Sequence, residues 1–369
     1  MDVLPEFALE RWFARWEFTA RWNLSASDVE GMRLDELLAL TDPDTRELWD
    51  DLALGYTESA GHPLLRAEIA ELHTTIGPDD VLVCAGAEEA ILLLATALAG
   101  PGDAAACVVP AYQSLHEVAR GAGAEVRTVA LDPSRGWALD PGEWAAAADG
   151  ARMAVVNFPH NPTGALPGAE EFRRIVAAGV AGGGHLVSDE VYRLLEHDPD
   201  DRLPAAADLH ERAVSVGVMS KAFGLAGLRI GWIATRDRDL LARVARLKDY
   251  TTICASAPSE VLAICALRAR ERVLERARGI VLANLGAVAA FAAAHADRIT
   301  WEPPRAGTVG FPRVAVDGPV EEWAGALARD HGVLLLPGAV FGDHPDRVRI
   351  GLGRRDLPAG LDALGRALG

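Results

Sequence analysis

The chain has 369 residues, 50% of them hydrophobic and 24% charged, with a formal net charge of −17 at pH 7. That length and balance suit a globular protein with a large core and about two domains. The acidity argues against nucleic acid, whose phosphates are held by clustered lysine and arginine, while leaving room for a small anion gripped by a few placed groups.

No unbroken run of about eighteen uncharged apolar residues is present, so no membrane span is expected. The opening MDVLPEFALERWFARWEF lacks the basic-then-apolar layout of a signal peptide. Cys84, Cys107, Cys254 and Cys265 are widely spaced and form no CxxC pair, which points to reduced thiols in a cytoplasmic protein and not to a zinc site.

In chain order, RWFARWEFTARW comes first. Trp12 and Trp16 are four apart and share a helical face, expected to pack on the core or on a partner subunit, not on a membrane. The loop NLSASDVEGM carries Asp28 and Glu30. From Val81 to Thr235, short β-rich runs alternate with longer Ala-rich segments: VLVC, ACVV, EVRTVAL, MAVVNFP, HLVSDE, AVSVGVMS and RIGWIAT. Several runs are apolar throughout, as strands covered on both faces must be. This predicts an α/β fold around a mostly parallel seven-stranded sheet. After about residue 240 a helical, Arg- and Ala-rich stretch leads to short strands near 299–316, 333–336 and 347–352, then to a final helix DLPAGLDALGRAL. The reading assigns 1–45 to an N-terminal segment joining a small α+β domain, 46–270 to the large α/β domain and 271–369 to the small one.

Ligands of open α/β sheets lie beyond the carboxyl ends of the strands. After VLVC, the small turn AGAEE opens into a helix, so the amides of Ala87 and Glu88 would point at an anion. Tyr112 follows ACVV and offers a ring for stacking. Asn161 sits in PHNPTG between two prolines that restrict the loop. Asp189 and Tyr192 follow HLV, and a carboxylate ending a buried strand needs a donor or a cation. After AVSVGV come Ser220, Lys221 and, eight residues on, Arg229. The chain has two lysines, Lys221 and Lys248, against thirty-four arginines. Arginine cannot give up its proton in a protein, whereas lysine can, and a desolvated lysine amine is a nucleophile for carbonyls. These parts describe a flat ring with a phosphate, a pyridinium nitrogen and a carbonyl: pyridoxal 5′-phosphate (PLP).

NPTG, SDEVY and SKAFGLAGLRIGW, in this order, resemble the class I/II aminotransferases of PLP fold type I. So do YTESAGHPLLRAEIA (56–70) and VRIGLG (348–353), and the likeness runs from about residue 50 to 369. The resemblance implies that 46–270 binds PLP. Lys221 would hold it as a Schiff base and shuttle the Cα proton, Asp189 would pair with the ring nitrogen, and Asn161 and Tyr192 with the ring hydroxyl oxygen. Tyr112 would stack on the ring. Ala87, Glu88, Ser220 and Arg229 would hold the phosphate, with Tyr56 reaching in across a homodimer interface. Glu88 stands where the family often has a small hydroxyl residue; its amide is expected to serve while its side chain turns outward. Arg349 would dock the substrate carboxylate. The expected activity is transamination between an L-amino acid and a 2-oxoacid.

VVNFPHNPTGA, RLKDYTTICASAP, PPRAGTVGFPR and GVLLLPGAVFG also resemble the capreomycidine synthase-like enzymes, which implies the alternative of elimination, replacement or cyclisation on an arginine-derived substrate. Asp28 and Glu30 would then meet the cationic side chain. The tyrosine of SDEVY is retained, as in ordinary transaminases.

Overall fold

The computed structural model describes residues 4–368. Its centre is a seven-stranded sheet in the order Val81–Cys84, Gly231–Ala234, Ala213–Val218, His185–Asp189, Met153–Asn157, Ala104–Val109 and Glu125–Ala130. All neighbours are parallel except Gly231–Ala234, which runs antiparallel to both its partners. The expected α/β fold with a mostly parallel sheet is therefore present. Val81–Cys84, Met153–Asn157, His185–Asp189 and Ala213–Val218 are buried along their whole length. That explains why these strands read as continuous apolar runs. Fully burying one Val or Leu side chain contributes about 1.5–3 kcal/mol, so a strand buried on both faces is held by its core twice over.

Helices Ala87–Leu98, Ser114–Gly121, Pro141–Ala148 and Ala169–Ala181 provide crossovers between these strands. The register sets Asn157 beside Asp189 and Asp189 beside Val216. The turns bearing Asn161, Asp189 and Lys221 thus leave one edge of the sheet side by side.

The smaller α+β part contains the antiparallel strands Val309–Gly310, Val348–Gly351 and Leu336–Pro337. Helices Arg270–Ala294, Val320–His331 and Leu357–Leu368 cover them. Arg270–Ala294 is long and apolar enough to cross a membrane by length and composition, although Asn284 interrupts its apolar run. Here Val273, Ala277, Ile280, Val281, Asn284 and Val288 recur at helical spacing on a buried face, and Asn284 Nδ2 donates to the carbonyls of Leu352 and Arg354 at 2.8 and 2.6 Å.

Chain from the N-terminus is woven into this part. Trp22–Asn23 pairs in parallel with Val333–Leu334, and the Gly351 amide donates to Leu24 O at 2.7 Å. A Cβ on Gly351 would strike the Ala26 backbone, so glycine here permits the N-terminal strap to cross the strand carrying Arg349. Before the strap, helix Ala8–Trp16 buries Leu9 and donates from Trp12 Nε1 to Leu335 O at 3.0 Å. This is the packed helix that the Trp12/Trp16 spacing predicts.

Candidate active site

At the carboxyl ends of the sheet strands, beside the smaller α+β part, lies an open cleft of about 350 Å³. Ala87, Glu88, Tyr112, Asn161, Asp189, Tyr192, Ser220, Lys221, Arg229, Arg349 and Asp28 all line it.

One end is built for an anion. Gly86 precedes helix Ala87–Leu98 with φ of 90° and no side chain caps that helix, so its first amides stay free and carry the positive end of the helix dipole. Arg229, itself left-handed at φ of 53°, reaches back to this turn; its Nη1 donates to Ser220 Oγ at 3.4 Å and to Ala226 O at 3.1 Å. A Cβ on Gly86 would occupy the place of the Arg229 guanidinium, so glycine is required where the two meet.

Deeper in, Asp189 is 5% exposed. Burial pushes its carboxyl up to about 7, opposed by the Val191 amide and the Lys221 ammonium. Asn157 fixes the neighbouring turns: its Nδ2 donates to Asp189 O at 2.9 Å and its Oδ1 accepts the Asn161 amide at 2.8 Å. Lys221 Nζ donates to Ser27 Oγ at 2.8 Å. The carbonyl of Ser27 accepts from Tyr192 Oη at 3.0 Å and from Thr308 Oγ1 at 2.7 Å.

Across the cleft, Arg349 is 1% exposed. It donates to Asn161 Oδ1 at 3.1 Å and to Ser25 O at 2.9 Å, while its buried Nε has no hydrogen-bond partner among the described residues. Burial lowers its pKa, against the nearby phenols and carboxylates. A buried guanidinium without a full carboxylate partner favours an anionic ligand.

Three expectations need correction. The Glu88 side chain does not leave the cleft: Glu88 lines it as a solvent-exposed residue, and its Oε2 accepts from Ser114 Oγ, the buried first residue of the next helix, at 3.1 Å. Desolvation of that carboxyl raises its pKa, partly offset by Ser114. Glu30 lies outside the cleft, with Oε2 accepting the Arg355 amide at 3.1 Å and Oε1 3.4 Å from its guanidinium. Asp28 does line the cleft, but Arg354 Nη2 already sits 3.1 and 3.2 Å from its two oxygens. Tyr56 is 92% exposed and lies outside the cleft of its own chain.

The sequence reading missed one wall altogether. Leu9, Glu10, Phe13 and Glu17 of the N-terminal helix line the cleft. Glu10 Oε1 accepts from Tyr112 Oη at 3.1 Å, and burial, with Glu88 and Glu10 next, raises the Tyr112 phenol far above its usual range. The Glu17 pKa is raised by burial and then by Asp28 and Glu10. The positions 10, 13 and 17 follow helical spacing on one face, a signal that was available beside the tryptophans.

The free amides, Ser220 and Arg229 fit a phosphate, Asp189 fits a protonated ring nitrogen, and the Lys221 amine fits an aldehyde between them. A fold of this kind with this donor set is that of the fold type I PLP-dependent enzymes. The chain belongs to the class I and II aminotransferase family, whose sequence profile matches residues 23–357, and its cofactor is pyridoxal 5′-phosphate. It is 37% identical over 378 residues to capreomycidine synthase of Streptomyces vinaceus, an alignment covering 100% of this chain and 95% of that protein. Among solved structures, a PLP-dependent aminotransferase of Streptococcus suis superposes with a TM-score of 0.93 at 29% identity, covering 100% and 98% of the two chains. The PLP-dependent cyclase OrfR superposes at 0.90 with 30% identity and the same coverage.

Proposed function

We propose that this chain converts an L-amino acid with a guanidinium-type side chain, derived from arginine, by elimination and ring closure. The observation that carries this reading is the composition of the cleft: Arg349 for a carboxylate at one wall, and the carboxylates of Glu10 and Glu17 on another. The full-length similarity to capreomycidine synthase and the likeness to OrfR support it.

When bound, PLP supplies an aldehyde that condenses with amines and a ring that accepts the electron pair left at Cα. The chain's own residues do the rest. The amides of Ala87 and Glu88, Ser220 and Arg229 hold the phosphate. Asp189 would hold a proton at the ring nitrogen, Tyr112 would face the ring, and Asn161 and Tyr192 would serve the ring hydroxyl oxygen. Arg349 orients the substrate by its carboxylate, and Glu10 and Glu17 receive its cationic tail. Lys221, once its amine is neutral, takes the Cα proton as general base and returns it as general acid. For elimination, the hydroxyl on the substrate side chain leaves as water with the proton that Lys221 took from Cα, which opens a double bond from Cα to that carbon; a guanidine nitrogen then bonds to the same carbon, and the proton it gives up is returned to Cα by Lys221.

A second reading is transamination between such an amino acid and a 2-oxoacid. It is favoured by the retained Tyr192, buried at 1% exposure beside Asp189 and Lys221. Mass spectrometry after incubation with a hydroxylated arginine separates the two. A cyclic product lighter by one water, with the cofactor still an aldehyde, supports the first. A 2-oxoacid with the cofactor recovered as its amine supports the second and overturns the first.

The functional unit we propose is a homodimer, supported by the exposure of Leu54, Tyr56 and Tyr250, each at least 85%. The proposed setting is the cytoplasm, in keeping with four free thiols.

A further inference from the structure

The second lysine, Lys248, takes no part in the cleft, yet it is 0% exposed. A buried ammonium is costly unless its protons are satisfied. Its Nζ donates to Ser59 O and to Ile253 O, both at 2.8 Å. It thereby ties two segments that are far apart in sequence. The first carries Tyr56; the second carries Tyr250 and the exposed Ile253. Ser59 Oγ adds a bond to Asp249 at 3.0 Å, and Thr57 Oγ1 one to Ala255 O at 3.4 Å.

From the second segment the connection continues inward. Thr251 Oγ1 and Thr252 Oγ1 both donate to Glu89 Oε1, at 2.5 and 2.8 Å. The other Glu89 oxygen accepts the Ala85 amide at 2.6 Å. Ala85 opens the turn through Gly86 to the free amides of Ala87 and Glu88. Two charge-assisted junctions, one at Lys248 and one at Glu89, joined through the backbone of residues 248–253, thus link the segments bearing Tyr56 and Tyr250 to the anion cradle, and bonds of this kind are both strong and directional.

We propose that Glu89 and Lys248 are positioning residues for the cofactor phosphate, together bracing the Ala85–Glu88 turn against the segments at 57–59 and 250–255. This rests on the assignment of that turn to the phosphate. Neither residue lines the cleft, so their effect is expected to be confined to a ligand that carries the phosphate.

The test compares pyridoxal phosphate with pyridoxal, which has the same aldehyde and ring but no phosphate. The full chain is freed of bound aldehyde by dialysis against hydroxylamine, then titrated with each, following absorbance and the borohydride-fixed mass on Lys221. Glu89→Gln, the double variant Thr251→Val/Thr252→Val and Lys248→Met are each expected to weaken pyridoxal phosphate about tenfold, the worth of one charge-assisted hydrogen bond, and to leave pyridoxal unchanged. Weakening of both ligands by one factor, or no weakening in Glu89→Gln and the threonine variant, overturns the proposal. Should Lys248→Met fail to fold, the threonine variant, which alters only hydroxyls, decides the matter. A wild-type chain that binds neither aldehyde defeats the cofactor assignment itself, a distinct outcome.

Discussion

Asp189 ends a buried strand, and burial makes its carboxylate costly to ionise by more than the Val191 amide and the Lys221 ammonium offset. Burial holds its pKa at about 7, while an unfolded chain titrates such a group near 4, at roughly 3.9. Between those two values the folded, cofactor-free chain binds the extra proton. This group's contribution to stability is therefore full at the acid side and is lost as pH rises through about 4 to 7. The Tm of cofactor-free Asp189→Asn should consequently fall less between pH 5 and 8 than that of wild type, and saturating pyridoxal phosphate should flatten the wild-type curve. Equal slopes in the two proteins, by calorimetry across that range, would remove the buried acid from this account. Asp189 and Lys221 were legible in the sequence because each follows an apolar run, and such runs end at one edge of a parallel sheet. The direction of Glu88 was not. It depends on a hydroxyl at Ser114, twenty-six positions away, and on a rotamer that no local pattern records.

Helix Ala8–Trp16 shows the same contrast among elements. Its existence follows from spacing, but its role does not, because the face bearing Glu10, Phe13 and Glu17 acquires meaning when the strap after it carries it across the cleft. There Ala8 N donates to Gln113 Oε1 at 3.0 Å, and Gln113 Nε2 donates back to Glu6 O at 2.9 Å. The Phe7 and Tyr112 rings lie 5.1 Å apart. If this wall reads the cationic tail, Glu10→Gln/Glu17→Gln should raise KM for an arginine-type substrate about tenfold or more, the scale of one or two charged hydrogen bonds. KM or Ki for citrulline, which is neutral but nearly the same shape, should move little. Equal shifts for both compounds in steady-state assays would assign the two carboxylates to packing alone. The acidic loop that sequence reading offered for this duty is instead engaged with its own neighbours, Asp28 with Arg354 and Glu30 with Arg355.

At the scale of the molecule, the α/β class, the strand set and the carboxyl-end location of the site all follow from periodicity and motif order. The face outside the cleft does not, since a side chain turned to water and one awaiting a second copy look alike in a sequence. Leu54, Tyr56 and Tyr250 expose large apolar groups close to the Lys248 junction. Dimer interfaces bury about 1600 Å² in the standard case, and a charge placed in their middle is costly to desolvate. Light scattering should give twice the chain mass for wild type and a shift toward one chain for Leu54→Glu/Tyr250→Glu; a monomeric wild type would reject the dimer.

The N-terminal helix is bonded to the large domain through Gln113 and Tyr112 and to the small domain through Leu335. It forms one wall of the cleft, beside the strap residues Ala26, Ser27 and Asp28. If that wall reads the substrate as proposed, this short segment can be rewritten while the sheet and its strand-end chemistry are inherited intact. In such an architecture, new specificities arise by exchanging a doorframe and not by rebuilding the room.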